Sequence, residues 1–379
     1  MNKIKLIKSV FLLSVFSFLT FVSCNAPVFY TVSLEELPLD PRIEGTSTNF
    51  VEFNGSMYVG ERLRGTIHCY YKNSNNKWQW RRHSAGGNLT HLAATSNNLY
   101  ALKSNKIDFF SASAASITLD GQIPAKPGVT IDAIYASNNK LFINARTGSE
   151  YSIYYYDENS EDFLLINTDE SSLSMLVGTA YDGENYYFCF KDDVGIYTSK
   201  DLTSAQLIEN SGGNYFTNII DFENAQGNTV VIALSRTGRL FSVTEDNISQ
   251  LTGAFSDDRL ATSALGIWKK DINGSINDLL LVGRQDMTTS VTTGYTHGYL
   301  EIKIKNDDSE DIFTGSLNEP GSGTTTVSSH EHYIASIGKH GVHFIFQAPD
   351  GILFAGTNHG VWSYRAHRSD SKETWNAEE

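Results

Sequence analysis

Apolar residues in this chain fall in short runs with a two-residue beat, and the runs recur at near-constant spacing. Seven of them follow a tight-turn pair: NGSMYVGER from Asn54, SNNLYALKS from Ser96, SNNKLFINAR from Ser137, DGENYYFCFK from Asp182, QGNTVVIALSR from Gln226, INDLLLVGRQ from Ile276 and DGILFAGTN from Asp350. Asn-Gly, Asn-Asn and Asp-Gly accept positive φ and so nucleate hairpins. Aligning Val59, Ala101, Ile143, Cys189, Ile232, Val282 and Ala355 gives spacings of 42, 42, 46, 43, 50 and 73 residues. A period just above forty predicts one small four-stranded sheet per repeat.

The strands around each run complete the unit. A second strand follows, as in GTIHCYY at Gly65 or YSIYYYDE at Tyr151, and then a third, as in KWQWRRHS at Lys77 or DFLLINT at Asp162. Before each turn pair lies an innermost strand, such as IDAIYAS at Ile131, FTNIIDFE at Phe216 and VHFIFQAP at Val342. Each repeat therefore reads as strands a, b, c and d. No stretch sustains helical spacing of apolar positions. The predicted fold is all-β, a seven-bladed β-propeller of four-stranded antiparallel blades. A β-sandwich is the rival, but it does not explain seven like-phased units. The last unit, residues 349–365 (PDGILFAGTNHGVWSYR), resembles the propeller repeat of two-component-regulator sensors: an Asp-Gly turn, an aromatic strand ending Gly-Thr, then Gly and another aromatic strand. The resemblance is good over that one repeat, and it implies the fold rather than a function. The sialidase-type Asp box is not present.

The N-terminus has a different pattern. Lys3, Lys5 and Lys8 precede an apolar run over 9–22 that is too short to span a bilayer, and Ser23 stands just before Cys24. This segment resembles the lipobox of bacterial lipoproteins, in the looser form common in spirochaetes. The resemblance implies that residues 1–23 are a signal peptide and that Cys24 is acylated, palmitate included, so that the membrane partner is reached through a lipid anchor. An ordinary secretory signal with an incidental Cys is the competing reading. Asn25, rather than Asp, after Cys24 favours the outer membrane by resemblance to enterobacterial sorting, with the periplasmic or the external leaflet left open. Residues 24–49 are then a spacer that includes a candidate ring-closing strand (VFYTVSL, 28–34), and 50–379 form the propeller.

Charge and cysteine content narrow the partners. The 379-residue chain carries a formal charge of −14, and loss of residues 1–23 removes three Lys and no acid. Such a balance argues against nucleic acid, whose phosphates need Lys and Arg, and against lying flat on anionic lipid. Cys69 and Cys189 sit inside apolar runs in different repeats and read as small buried hydrophobes rather than a disulfide or a metal ribbon.

Function is expected where the repeat is broken. Residues 285–297 (QDMTTSVTTGYTH) enlarge the b–c connection of unit six, and 318–341 enlarge the connection into unit seven. Connections of antiparallel strands alternate between the two faces of the ring, so b–c and d–a loops share one face. Tyr295, His297, His330, His332, His340 and His359 all fall in connections on that face, with His343 just inside the adjoining strand. These residues are the candidate binding set. Neutral imidazoles also suit zinc, copper or nickel, and His330 and His332 lie on one side of an extended segment. No HExxH, GxSxG or P-loop pattern accompanies them, and no cofactor is indicated. Asp192-Asp193, Asp257-Asp258 and the acids after Asn306 read as solvated turns, lacking the calcium-loop spacing. The expectation is a non-enzymatic, membrane-anchored lipoprotein that presents its loop face to a protein or other ligand in the cell envelope. The alternatives are a metal-assisted hydrolase or lyase on the same scaffold, and a ligand-binding domain of the sensor type.

Overall fold

The computed structural model describes residues 43–378 apart from 114–115, 170–172, 225–226, 252–260, 273–274, 286–296, 305–312, 318–340 and 367–372. Within that set lie 28 β-strands and no helix. Blade 1 comprises β1 (Ser47–Phe53), β2 (Ser56–Glu61), β3 (Thr66–Lys72) and β4 (Trp78–Ser84). Blade 2 comprises β5 (Leu89–Ala94), β6 (Leu99–Lys103), β7 (Lys106–Ser113) and β8 (Ser116–Pro124). Blade 3 is β9 (Thr130–Ser137), β10 (Lys140–Thr147), β11 (Glu150–Asp157) and β12 (Asp162–Thr168). Blade 4 is β13 (Leu176–Tyr181), β14 (Tyr186–Phe190), β15 (Gly195–Ser199) and β16 (Ser204–Leu207). Blade 5 is β17 (Phe216–Glu223), β18 (Thr229–Ser235), β19 (Leu240–Val243) and β20 (Ile248–Gln250). Blade 6 is β21 (Ala261–Ile272), β22 (Ser275–Gln285), β23 (His297–Ile304) and β24 (Phe313–Leu317). Blade 7 is β25 (Val342–Gln347), β26 (Leu353–Thr357), β27 (Gly360–Ala366) and β28 (Glu373–Ala377).

Within each blade the strands pair antiparallel in chain order. The tight turns behave as their residues require. Asn54 and Gly55 (φ 50° and 68°) and Asn138 and Asn139 (44° and 61°) occupy the left-handed region at the a–b hairpins. The innermost strands touch in cyclic order, β1, β5, β9, β13, β17, β21 and β25, and β25 returns to β1. The protein is a closed seven-bladed β-propeller.

Seven hydrophobic clusters hold the blades together, one at each seam. Leu92 and Ala101 meet Ile67 and Cys69 between blades 1 and 2, and Tyr187 and Cys189 meet Ile219 and Val231 between blades 4 and 5. The seam between blades 6 and 7 takes Trp268, Trp362 and Trp375, while Met57, Val59 and Tyr70 meet Phe354 and Val361 between blades 1 and 7. Each b strand stands between two seams and is covered on both faces. β2, β6, β14 and β26 are buried at every position. This double burial is why the b strands read as unbroken apolar runs instead of clean alternation. Both Cys69 and Cys189 are free and buried, so they serve as packing atoms.

In the last blade the outer strand β28 pairs with β27 over five residues, from Trp362↔Ala377 to Ala366↔Glu373. Blade 7 is thus complete from C-terminal sequence alone. The candidate ring-closing strand at 28–34 lies outside the described residues. Closure among those described is by contact between blades, with the Val361 N–H donating to Ile43 O at 3.3 Å.

Candidate functional site

The same irregularity recurs in all seven blades. Near the start of each innermost strand the pairing with strand b slips: between Ser47 and Phe50, Leu89 and His91, Ile131 and Ala133, Leu176 and Gly178, Phe216 and Asn218, Ala261 and Leu265, and Val342 and Phe344. Thr90, Asp132, Val177, Thr217 and His343 are the residues that the register skips in their blades. A β-bulge bends its strand and re-aims a side chain, and such bulges gather at the rims of closed sheets. Here they form a ring at the end of the axial channel nearest the b–c and d–a connections.

The channel itself is a cavity of about 570 Å³ walled by all seven innermost strands. Much of its wall is apolar, with Phe50, Leu92, Val177, Ile220, Phe344 and Phe346 among the lining residues. Most polar groups in the wall are committed to neighbouring blades. Asn49 donates through Nδ2 to Leu92 O (2.6 Å) and accepts from Leu92 N–H (2.9 Å), clamping blade 1 to blade 2. Asn218 donates to Ser263 O (2.5 Å), and Ser263 Oγ donates to His343 O (3.0 Å), linking blades 5, 6 and 7. Thr90 and Thr217 donate to Leu102 O and Leu234 O, satisfying carbonyls in their own blades.

Five polar lining residues are not so committed: Ser47, whose buried Oγ has no hydrogen-bond partner among the described residues, Glu52, Arg62, His91 and Tyr135. Arg62, in the b–c turn of blade 1, is exposed and lies at the loop-side mouth, and its guanidinium forms no ion pair with a described carboxylate. Its backbone is fixed, donating to Thr46 O (3.2 Å) and accepting from Leu89 N–H (3.1 Å). His91 packs edge-on against the Tyr135 ring, with centroids 5.8 Å apart, and its Nδ1 is buried without a hydrogen-bond partner among the described residues. Burial first, and then the charge of Arg62, push the His91 imidazole down to about 4. The same two causes lower His343, and burial raises the Tyr135 hydroxyl. Both imidazoles are therefore neutral near pH 7. Glu52 lines the channel toward the opposite end, five residues along β1 from Ser47, or about 17 Å at ~3.3 Å per residue.

The sequence-derived set is only partly brought together. His359 sits in the exposed b–c turn of blade 7, its N–H donating to Thr357 Oγ1 at 3.0 Å. His297 opens β23 opposite Gln285, at the b–c end of blade 6. Both stand on the expected face, and His343 stands at the same end of β25. Tyr295, His330, His332, His340 and Cys24 lie outside the described residues. Among the described residues no three His, Cys, Asp or Glu side chains converge as metal ligands would. No described helix is long and apolar enough to cross a membrane. Sequence reading missed Arg62, His91 and Tyr135. They lie in regular repeats, where the matching innermost-strand and b–c turn positions of other blades carry residues as varied as Asn49, Val177, Asp221, Phe346 and Lys191, so the sequence does not single them out.

No family model and no curated protein matches the chain in sequence. Its architecture is similar to solved propellers. A structure of YCF48 bound to D1 peptide aligns with TM-score 0.51 and 11% identity, over 88% of this chain and 96% of that one. PorZ, a bacterial surface component of the type-IX secretion system of Porphyromonas gingivalis, aligns with TM-score 0.51 and 10% identity over 89% of this chain, which spans only 38% of PorZ. The Dos1 propeller aligns with TM-score 0.50 and 12% identity, over 84% and 76% of the two chains.

Proposed function

We propose that this protein is a non-enzymatic binding scaffold of the bacterial cell envelope, tethered through acylated Cys24, which captures a protein partner on the b–c/d–a face. The observation that carries this reading is apolar surface on that face. Leu63 is 87% exposed in the b–c turn of blade 1, and Tyr215 is 50% exposed in the connection into blade 5. Tyr215 is held at φ 50°, and Arg236 N–H donates to its carbonyl at 2.8 Å, so the side chain is presented from a fixed backbone. A large apolar side chain left in water is what a partner would cover, and exposed aromatics are frequent interface anchors. The long connections at 285–297 and 318–341 are expected on the same face, where Gln285 pairs with His297 and β25 begins. The peptide held by YCF48 and the surface position of PorZ are properties of those proteins; they support this reading only as examples of what the scaffold can carry.

Crosslinking pull-down from intact cells tests the face. Replacement of 318–340 by a Gly/Ser linker of about the length that joins β20 to β21, or the pair Leu63→Asp and Tyr215→Ser, is expected to abolish capture while circular dichroism stays unchanged. Capture that survives both changes would place the partner elsewhere. Labelled palmitate is expected to enter the wild-type chain and not Cys24→Ala. Protease treatment of intact cells distinguishes the surface from the periplasm.

A further inference from the structure

The axial cavity has the size of a small-molecule site, and its free chemistry is narrow. Asn49, Asn218, Ser263, Thr90 and Thr217 already spend their hydrogen bonds on carbonyls and blade seams. A polyol or sugar would therefore find few open partners. What remains, besides the Ser47 hydroxyl, whose Oγ is fully buried, is a guanidinium at one mouth, a neutral imidazole and a phenol packed edge-to-ring, and an apolar wall with Phe50, Phe344 and Phe346. No described residue hydrogen-bonds to the Tyr135 hydroxyl or to either nitrogen of His91. Among the described residues the only carboxylate in the lining is Glu52, at the far end, so charge is polarised along the channel.

We propose that the axial cavity binds a small amphipathic carboxylate: Arg62 holds the carboxylate at the loop-side mouth, His91 and Tyr135 offer further donors, and the aromatic wall encloses the apolar body. Arg presents a planar fork that matches a carboxylate, and charge-assisted bonds of this kind are the strong ones. A neutral imidazole supplies an N–H without a second positive charge beside Arg62. An arriving anion offsets the Arg62 charge that His91 faces. This site lies inside the ring and does not depend on the protein-capture reading. Loss of one leaves the other standing.

The test uses the full chain with acetate, hexanoate, benzoate and 3-phenylpropionate as probes, the corresponding amides as neutral isosteres, and inorganic phosphate as the plain anion. Imidazole Cε1–H signals are followed by NMR, with His91 assigned by His91→Gln. The longer acids are expected to move the His91 signal at neutral pH, where they are carboxylates. Acetate and the amides are expected to bind at least about tenfold more weakly, as loss of apolar contact or of a charged hydrogen bond requires. Arg62→Ala is expected to weaken binding roughly ten- to a hundredfold with an unchanged melting temperature, and Arg62→Lys to restore part of it. Equal binding of amides and acids, indifference to Arg62→Ala, phosphate binding as tightly as benzoate, or no acid moving His91 at millimolar concentration would each overturn the proposal.

Discussion

The seam between blades 3 and 4 and the seam between blades 7 and 1 join similar sheets by different means. At the first the chain runs straight on from β12 to β13, and the two outer strands also touch. β12 and β16 pair in parallel through Asn167↔Ser204 and Thr168↔Ala205, and both Asn167 N–H and Asn167 Nδ2 donate to Thr203 O at 3.1 Å. The two sheets become one eight-stranded surface. Across the 7/1 seam no backbone connects the blades in sequence, because described residues near both ends of the chain meet there. Side chains reach across instead. Trp80 Nε1 donates to Glu378 Oε2 at 2.6 Å, and Tyr70 OH donates to Asp350 Oδ2 at 2.8 Å. Phe354 packs against both Tyr70 and Trp80, with centroids 5.0 and 5.6 Å apart, and Phe50 stacks on Phe346 at 6.2 Å. Gly356 is what permits this approach, since a Cβ there would collide with Ser47 Oγ and press on the Phe50 ring. The 3/4 seam is also packed with aromatics, Phe142 against Tyr186 and Phe188 among them; what sets it apart is the strand pairing added to that packing, while the closing seam holds its two sheets through side chains.

The sharpest way to break this contrast is at the aromatic cluster. Phe354→Ala should lose about 3–5 kcal/mol of stability in urea titration, as truncation of a buried Phe does when its neighbours cannot collapse. If the loss were below about 1 kcal/mol, the closing seam would not depend on its side chains. Acid should strike the same seam next. His68, buried edge-on to Trp80 with centroids 6.5 Å apart, titrates near 4 in the fold because burial disfavours its charge, against about 6.5 unfolded. Between those values the unfolded chain binds the extra proton, so stability falls as pH drops from about 6.5 to 4, by up to roughly 3 kcal/mol from this group. Glu61, raised by burial, works in the opposite direction and reduces the net loss. His68→Gln should flatten the pH dependence of the urea midpoint over that window.

Smaller effects sharpen the comparison further. Glu378→Ala strips the acceptor from Trp80 Nε1 and Ser363 Oγ and should cost about 1–3 kcal/mol, with Glu378→Gln recovering part. Asn167→Ala at the 3/4 seam should cost only about 1 kcal/mol, because Thr203 O keeps the Asn167 backbone N–H as donor. Comparable losses for these two substitutions would show that the two seams share load equally.

Much of this architecture was legible before any coordinates. The turn pairs Asn54-Gly55 and Asn138-Asn139 announced their hairpins through the φ angles they accept, and the runs that follow became the doubly buried b strands. The strand order a to d and the sharing of one face by b–c and d–a connections follow from antiparallel pairing alone. The candidate site was legible only in part. His359 and His297 stand on the predicted face, but a cluster of imidazoles in loops carries no distance information. The Arg62, His91 and Tyr135 group was invisible because its members sit in blades 1, 2 and 3 at positions that look like ordinary repeat residues.

By itself the sequence determined the local period, the hairpin turns and hence the number and order of sheets, since each depends on residues a few positions apart. Tertiary structure decided how the ring closes, where every innermost strand bulges, and which polar groups in the channel stay unspent. Those outcomes depend on partners such as Trp80 and Glu378, 298 residues apart, whose meeting no periodicity records. Blade-to-blade packing fixes them, because only the closed ring brings seven equivalent strands around one axis.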